Sequence, residues 1–179
     1  MHPYNIIEGA FLYFLTFSVV EWLPVFVSAQ SCEIFTNSLT FCHKAKHLRV
    51  NAYVIMPTHV HLILFDEDFD SKRLKNTVTD LRKYTGRKLI EYSATCLPPC
   101  FNDTFQLSAG KDRAYRFWQA YTHPEAINTQ EFWQQKIDYI HENPVRKGLV
   151  TEATAWRFSS AAHWLEDSIL DVFLSPVVW

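Results

Sequence analysis

The sequence predicts an α+β fold, an antiparallel sheet with helices packed on it. Three observations carry that expectation. Two strand-like runs, LRVNAYVIM (48–56) and HVHLILF (59–65), meet across Pro57-Thr58 as in a β-hairpin. Segments of helical periodicity lie on either side of them, so strands and helices interleave. The chain has 179 residues, 48% hydrophobic and 16% aromatic, with only 4 Gly and 8 Pro, enough to bury one core but not two. A single domain spanning 1–179 follows, and the order strand, helix, two strands, helix, strand, helix is that of ferredoxin-like folds.

From Ala10 to about Val20 the residues are mostly apolar on both faces, which suits a central strand covered on each side. The wider stretch Phe11 to Val27 is apolar enough to raise a membrane span or signal peptide. Glu21 interrupts it, no Lys or Arg precedes it, and it is short for the ~20 residues a bilayer requires, so a buried strand is expected and no membrane association. From Ser28 to Lys46, Phe35, Leu39, Cys42 and Ala45 fall at helical spacing, with Lys44 and Lys46 at the end where cations suit the helix dipole. After the hairpin, Leu74, Val78, Leu81 and Leu89 mark a second, basic helix from Ser71 to Tyr92. Ser93 to Asp112, with Leu97-Pro98-Pro99, Asn102-Asp103 and Gly110, reads as a long surface loop. RAYRFWQ (113–119) alternates enough for a further strand. Asn128 and Glu131 have the form of a capping box, opening a helix to about Glu142.

The formal net charge of −2 excludes a protein coated in positive charge, so any nucleic-acid site must be a local basic patch. Cys32, Cys42, Cys96 and Cys100 form no CxxC pair and point to reduced thiols in a cytoplasmic protein.

His59 and His61 stand two apart on a predicted strand. Both imidazoles then project from one face, with Cα atoms about 6.6 Å apart, while Val60 and Leu62 point the other way. That spacing lets both rings reach one metal ion; it equally describes two half-exposed histidines on a sheet surface. On the last helix, Trp133, Ile137 and Ile140 form the apolar stripe, and Phe132, Lys136, Tyr139 and Asn143 share the neighbouring face. Tyr139 sits at the edge of the core stripe, and Asn143 follows about 6 Å further along the axis. An ordinary core-edge tyrosine and a helix-ending asparagine before Pro144 fit the same pattern.

PTHVHLIL (57–64), followed some eighty residues later by KIDYIHENPVRKGLV (136–150), resembles the HUH single-tyrosine transposases of bacterial insertion sequences, above all their REP-associated relatives, the RAYT group. The similarity runs from Tyr13 in FLYFLTFSVVEW through FWQ (117–119) and HP (123–124) to WRFSSA (156–161). The resemblance implies that His59 and His61 are metal ligands, that Tyr139 is the nucleophile, and that Asn143 completes the metal site. Thr58 stands where the family usually has Asn. The implied cofactor is Mg²⁺ or Mn²⁺. The implied reaction is cleavage and transfer of single-stranded DNA, including hairpin-forming strands, through a 5′-phosphotyrosine link, by a monomer or a homodimer.

Lys72, Arg73, Lys75, Arg82, Lys83, Arg87 and Lys88, against the single acid Asp80, give the second helix a face able to track phosphates. Arg113 and Arg116 interleave with Tyr115 and Trp118 in a pattern suited to base stacking, although Trp118 is expected in the core. A solvated helix face accounts for the basic run equally well. His123 and His141 lie close to Tyr139 in sequence, and His141 is a candidate for proton transfer. Two other readings remain: a domesticated, catalytically silent DNA-binding protein, and an RNA-binding or structural protein whose histidines merely hold zinc.

Overall fold

In the computed structural model of the chain, which describes residue 6 and residues 11–111, 113–122, 124–168 and 172–177, four strands form one antiparallel sheet. They are β1 (Leu12–Ser18), β2 (Leu48–Met56), β3 (His59–Asp66) and β4 (Glu125–Ile127), in the order β2-β3-β1-β4. The connection from β1 to β2 runs through α1 (Ala29–Ala45) and skips β3. That from β3 to β4 runs through α2 (Ser71–Cys96) and α3 (Pro99–Leu107) and skips β1, giving the ferredoxin-like arrangement. α4 (Gln130–Arg146) and the short α5 (Ala161–Glu166) follow.

Period-2 alternation divides the core between the two faces of the sheet. Tyr13, Leu15 and Phe17 of β1 and Val60, Leu62 and Leu64 of β3 pack with Phe35 and Leu39 of α1 and Leu74, Leu81 and Leu89 of α2. The alternate positions Leu12, Phe14, Ile63 and Phe65 pack with Ile137 and Ile140 of α4. In β2 a register shift between Val50 and Ala52 switches the parity. Leu48 and Val50 precede it on the first face, and Tyr53 and Ile55 return to that face after it. Asn51, fully buried at the shift, gives its amide to the Ser175 carbonyl (3.0 Å) and accepts from Trp133 Nε1 (2.7 Å).

Several expectations are corrected. Residues 93–107 are mostly helical, not a loop. α2 continues to Cys96, and Pro99 opens α3 at a first-turn position where its missing N–H costs nothing. Residues 113–119 form no ladder strand: Phe117 and Trp118 are buried in succession rather than alternating. The segment lies against the end of β1 through Val20 N–H to the Phe117 carbonyl (2.9 Å), Gln119 N–H to the Ser18 carbonyl (2.9 Å) and a single bridge between Val19 and Trp118. The fourth strand is Glu125–Ile127, beyond it. α4 begins one residue later than expected, capped by Thr129, whose hydroxyl accepts from Phe132 N–H (3.2 Å). It also runs through Pro144 to Arg146 instead of stopping at Glu142. Of the residues named from sequence, Ala10, Asp112 and His123 lie outside the described set. Among the described residues no helix is long and apolar enough to cross a membrane.

Candidate active site

The Pro57-Thr58 turn starts β3 directly at His59, and the pairing register sets His61 between Thr16 of β1 and Val54 of β2. His59 and His61 point from the same side of β3, opposite Val60 and Leu62, and their rings approach to 4.6 Å between centroids. This is the α4 side. Tyr139 meets the pair from above, its ring 5.1 Å from that of His61 and 5.9 Å from Phe14, edge-on to both. With Ile137 and Ile140 buried, Tyr139 stays 38% exposed, so its ring touches the imidazole while an approach from solvent remains open. Because the helix persists through Pro144, Asn143 lies one turn on from Tyr139 and is 3% exposed.

Each imidazole is fixed through the same atom. Thr16 Oγ1 lies 2.8 Å from His61 Nδ1, and Thr58 Oγ1 lies 2.9 Å from His59 Nδ1. With Nδ1–H as donor, Nε2 of each ring presents a lone pair, the arrangement that orients metal-ligating histidines. Burial, followed by the charge of Lys147, pushes His59 down to about 4. Burial, followed by His59, Lys136 and Arg146, pushes His61 down to about 3. Both rings are therefore neutral at pH 7, the form that binds metals.

Two buried atoms here lack a hydrogen-bond partner among the described residues, His61 Nε2 and Asn143 Oδ1. Buried polar atoms are nearly always paired, so two orphans, one on an imidazole and one on an amide, require an explanation. Among the described residues no group of three His, Cys, Asp or Glu side chains gathers to hold an ion, so a third donor must be of another type. Asn143 Oδ1 is of such a type, and two imidazoles with an amide oxygen would be a donor set that suits a divalent cation. Positive charge surrounds the pair. The Arg146 guanidinium stands 4.5 Å over the Tyr139 ring and donates to the Tyr139 carbonyl (2.6 Å). Lys136 stands 4.3 Å over Phe14 and is neutralised by Glu125 at 2.9 Å. His141 is not available for proton transfer: it is 4% exposed, with Nε2 2.9 Å from Ser160 Oγ.

The basic residues named from sequence divide into two groups. Arg82, Lys83, Arg87, Arg113 and Arg116 line one groove of about 680 Å³ between α2 and the 113–120 segment. α2 comes close to the segment at Gly86, where a Cβ would lie 3.3 Å from Trp118 Cδ1. Arg82 is also structural, donating to the Gln119 carbonyl at 2.6 Å. Trp118 is core, as expected, its Nε1 donating to Thr85 Oγ1 (3.2 Å). The other four residues lie outside the groove lining. Arg73 is tied to Asp66 and Asp68 (2.5 and 2.6 Å) and Lys88 to Glu91 (2.7 Å), while Lys72 and Lys75 are exposed. Sequence reasoning missed Thr16 and Arg146. A lone polar residue inside the apolar run of β1 was the available signal for Thr16.

No family model matches this sequence. A REP-associated tyrosine transposase of Escherichia coli (strain K12) is 24% identical over 132 residues, 72% of this chain but only 63% of the length of that relative. The solved structure of a REP-associated tyrosine transposase bound to a REP hairpin superposes with a TM-score of 0.62 at 18% identity, covering 96% of this chain and 89% of that one. A crystal structure of a transposase-like protein from Deinococcus radiodurans r1 gives 0.50 at 18% identity, covering 76% and 92%. The chain thus has the fold of the REP-associated tyrosine transposases and bears, in the same order, the two motifs by which it resembles the HUH single-tyrosine family.

Proposed function

We propose that this chain is a metal-dependent strand transferase of the HUH single-tyrosine type, REP-associated in kind, acting in DNA transposition or recombination. One observation carries the reading: two neutral imidazoles, His61 with an unpartnered buried Nε2, and the half-exposed phenol of Tyr139 meet on one face of the sheet. His59, His61 and Asn143 would hold a divalent cation, Mg²⁺ or Mn²⁺, which when bound would supply Lewis-acid polarisation of a scissile phosphate.

Tyr139 Oη attacks the phosphorus. The Oη–P bond forms as the P–O3′ bond breaks, the phenol proton passes to solvent, and the departing O3′ takes one up. The strand is left with a 5′-phosphotyrosine and a free 3′-hydroxyl. One phosphoester replaces another, so no ATP is consumed and the step reverses onto a new 3′ end. Arg146 and Lys147 add positive charge where the phosphate approaches. The cationic groove of Arg82, Lys83, Arg87, Arg113 and Arg116 supplies a path for single-stranded DNA. The similar protein bound to a REP hairpin supports hairpin-forming strands as substrate.

End-labelled, hairpin-containing single strands incubated with the protein and Mn²⁺ or Mg²⁺, then run on a denaturing gel, test the reading. A covalent adduct in the wild type that vanishes in Tyr139→Phe and with chelator is the expected result. Binding without an adduct under any metal would instead identify a catalytically silent DNA-binding module.

A further inference from the structure

We propose that Trp22 is a stacking platform for a nucleobase of the single strand, placed between the cationic groove and the imidazole pair. The proposal rests on the reading of that groove as the path of the strand.

Trp22 follows β1 in a 3₁₀ turn, Val20–Trp22, and is 55% exposed, while Val20 before it and Val25 and Phe26 after it are buried and anchor the segment. The ring stands edge-on to His59, 5.8 Å between centroids. Two successive non-glycine residues, Glu21 (φ 50°) and Trp22 (φ 54°), occupy the left-handed region. L side chains adopt that conformation at a cost, and it persists only where the surroundings enforce it. They do so here. Trp22 N–H donates to the Val19 carbonyl (3.1 Å), Leu23 N–H to the Val20 carbonyl (3.2 Å), and Val20 N–H to the Phe117 carbonyl (2.9 Å). The backbone strain and an unburied indole are both unfavourable in the free protein, and a planar ligand laid on the ring would offset the second.

The position of the ring links two features otherwise separate. A cavity of about 340 Å³ is lined by Glu21, Trp22, Arg116, Gln119 and Ala120, among others. Arg116, Gln119 and Ala120 also line the cationic groove. A strand whose phosphates follow Lys83, Arg87 and Arg113 therefore passes Arg116 and meets the Trp22 indole before reaching His59. Stacking on an indole is tolerant of base identity, because every base offers a π-face.

The test compares a fluorescein-labelled thymidine octamer with an octamer of abasic sugars carrying the same phosphates. Binding is read by anisotropy in the Tyr139→Phe background without added metal, so that no chemistry intervenes. The parent should prefer the thymidine octamer. Trp22→Ala should lower that preference by about tenfold, with affinity for the abasic octamer nearly unchanged. Trp22→Phe, which keeps an aromatic face, should retain most of the preference. An equal loss on both octamers, an undiminished preference in Trp22→Ala, or no preference in the parent would overturn the proposal. A missing Tyr139 adduct in the cleavage assay would count against strand transfer alone, since this comparison involves binding only.

Discussion

The two faces of the sheet are built from the same strands and serve opposite ends. On the α1/α2 face, Tyr13, Leu15, Phe17, Val60 and Leu62 close a largely apolar core. On the α4 face the same alternation delivers Leu12, Phe14 and Ile63, but also Thr16 and His61, and α4 adds Asn143. The first face combines this packing with polar contacts such as Trp118 Nε1 to Thr85 Oγ1, and it leaves Arg82 Nε and Ser93 Oγ of α2 without a partner among the described residues. The second holds two buried polar atoms without protein partners, and such atoms destabilise a fold unless a ligand completes them. The imidazole pair and Tyr139 lie on the second face, so substitutions there should change the proposed chemistry more than folding, and those in the first face's core the reverse.

The largest expected effect is on the packed face. Phe17→Ala, at a residue with 0% exposure, should cost about 4 kcal/mol and lower the thermal midpoint sharply, read by calorimetry. At the far end of β3, Arg73→Ala leaves the Asp66 carboxylate, 2% exposed, with only the Asp68 and Asp70 N–H donors and should lower the thermal midpoint by less than Phe17→Ala. Burial raises the Asp66 carboxyl, but Arg73 and the N–H groups of Asp70 and Asp68 outweigh it and hold the group below the usual carboxylate range. This contribution is fully present above the unfolded value of about 4 and is lost as pH falls through the lower folded value. Asp66→Asn should therefore flatten the acid limb of a stability-versus-pH curve. On the α4 face the sign should reverse. Asn143→Leu removes an orphaned buried oxygen and should raise metal-free stability by about 1 kcal/mol, and it should abolish the stabilisation by Mn²⁺ that the proposed site predicts for the wild type. The smallest change in stability, under about 0.5 kcal/mol, is expected for Tyr139→Phe, because that ring is already 38% exposed. Its effect should appear in the adduct assay instead.

Much of this was legible beforehand, for local reasons. Strand periodicity placed His59 and His61 on one face, and helical periodicity placed Tyr139 and Asn143 one turn apart; both patterns survive in the structure. What failed depended on distant contacts. RAYRFWQ looks like a strand, but Phe117 and Trp118 are both buried, under Phe26 and Phe35, so tertiary packing overrides the alternation. α3 has one buried anchor, Phe105, too few for a periodic signal. Of the nine basic residues named, the five lining one groove could not be told from the four outside it, because the bonds of Arg73 to Asp66 and of Lys88 to Glu91 are invisible to charge counting. The Trp22 platform depends on two left-handed residues that composition does not flag.

The most direct test of the central claim is a crystal of the protein soaked in Mn²⁺ and measured for anomalous scattering. The account predicts a peak bonded to Nε2 of His59, Nε2 of His61 and Oδ1 of Asn143, with the Tyr139 hydroxyl facing it. A peak elsewhere, or an imidazole pair that stays empty at saturating Mn²⁺, would contradict it.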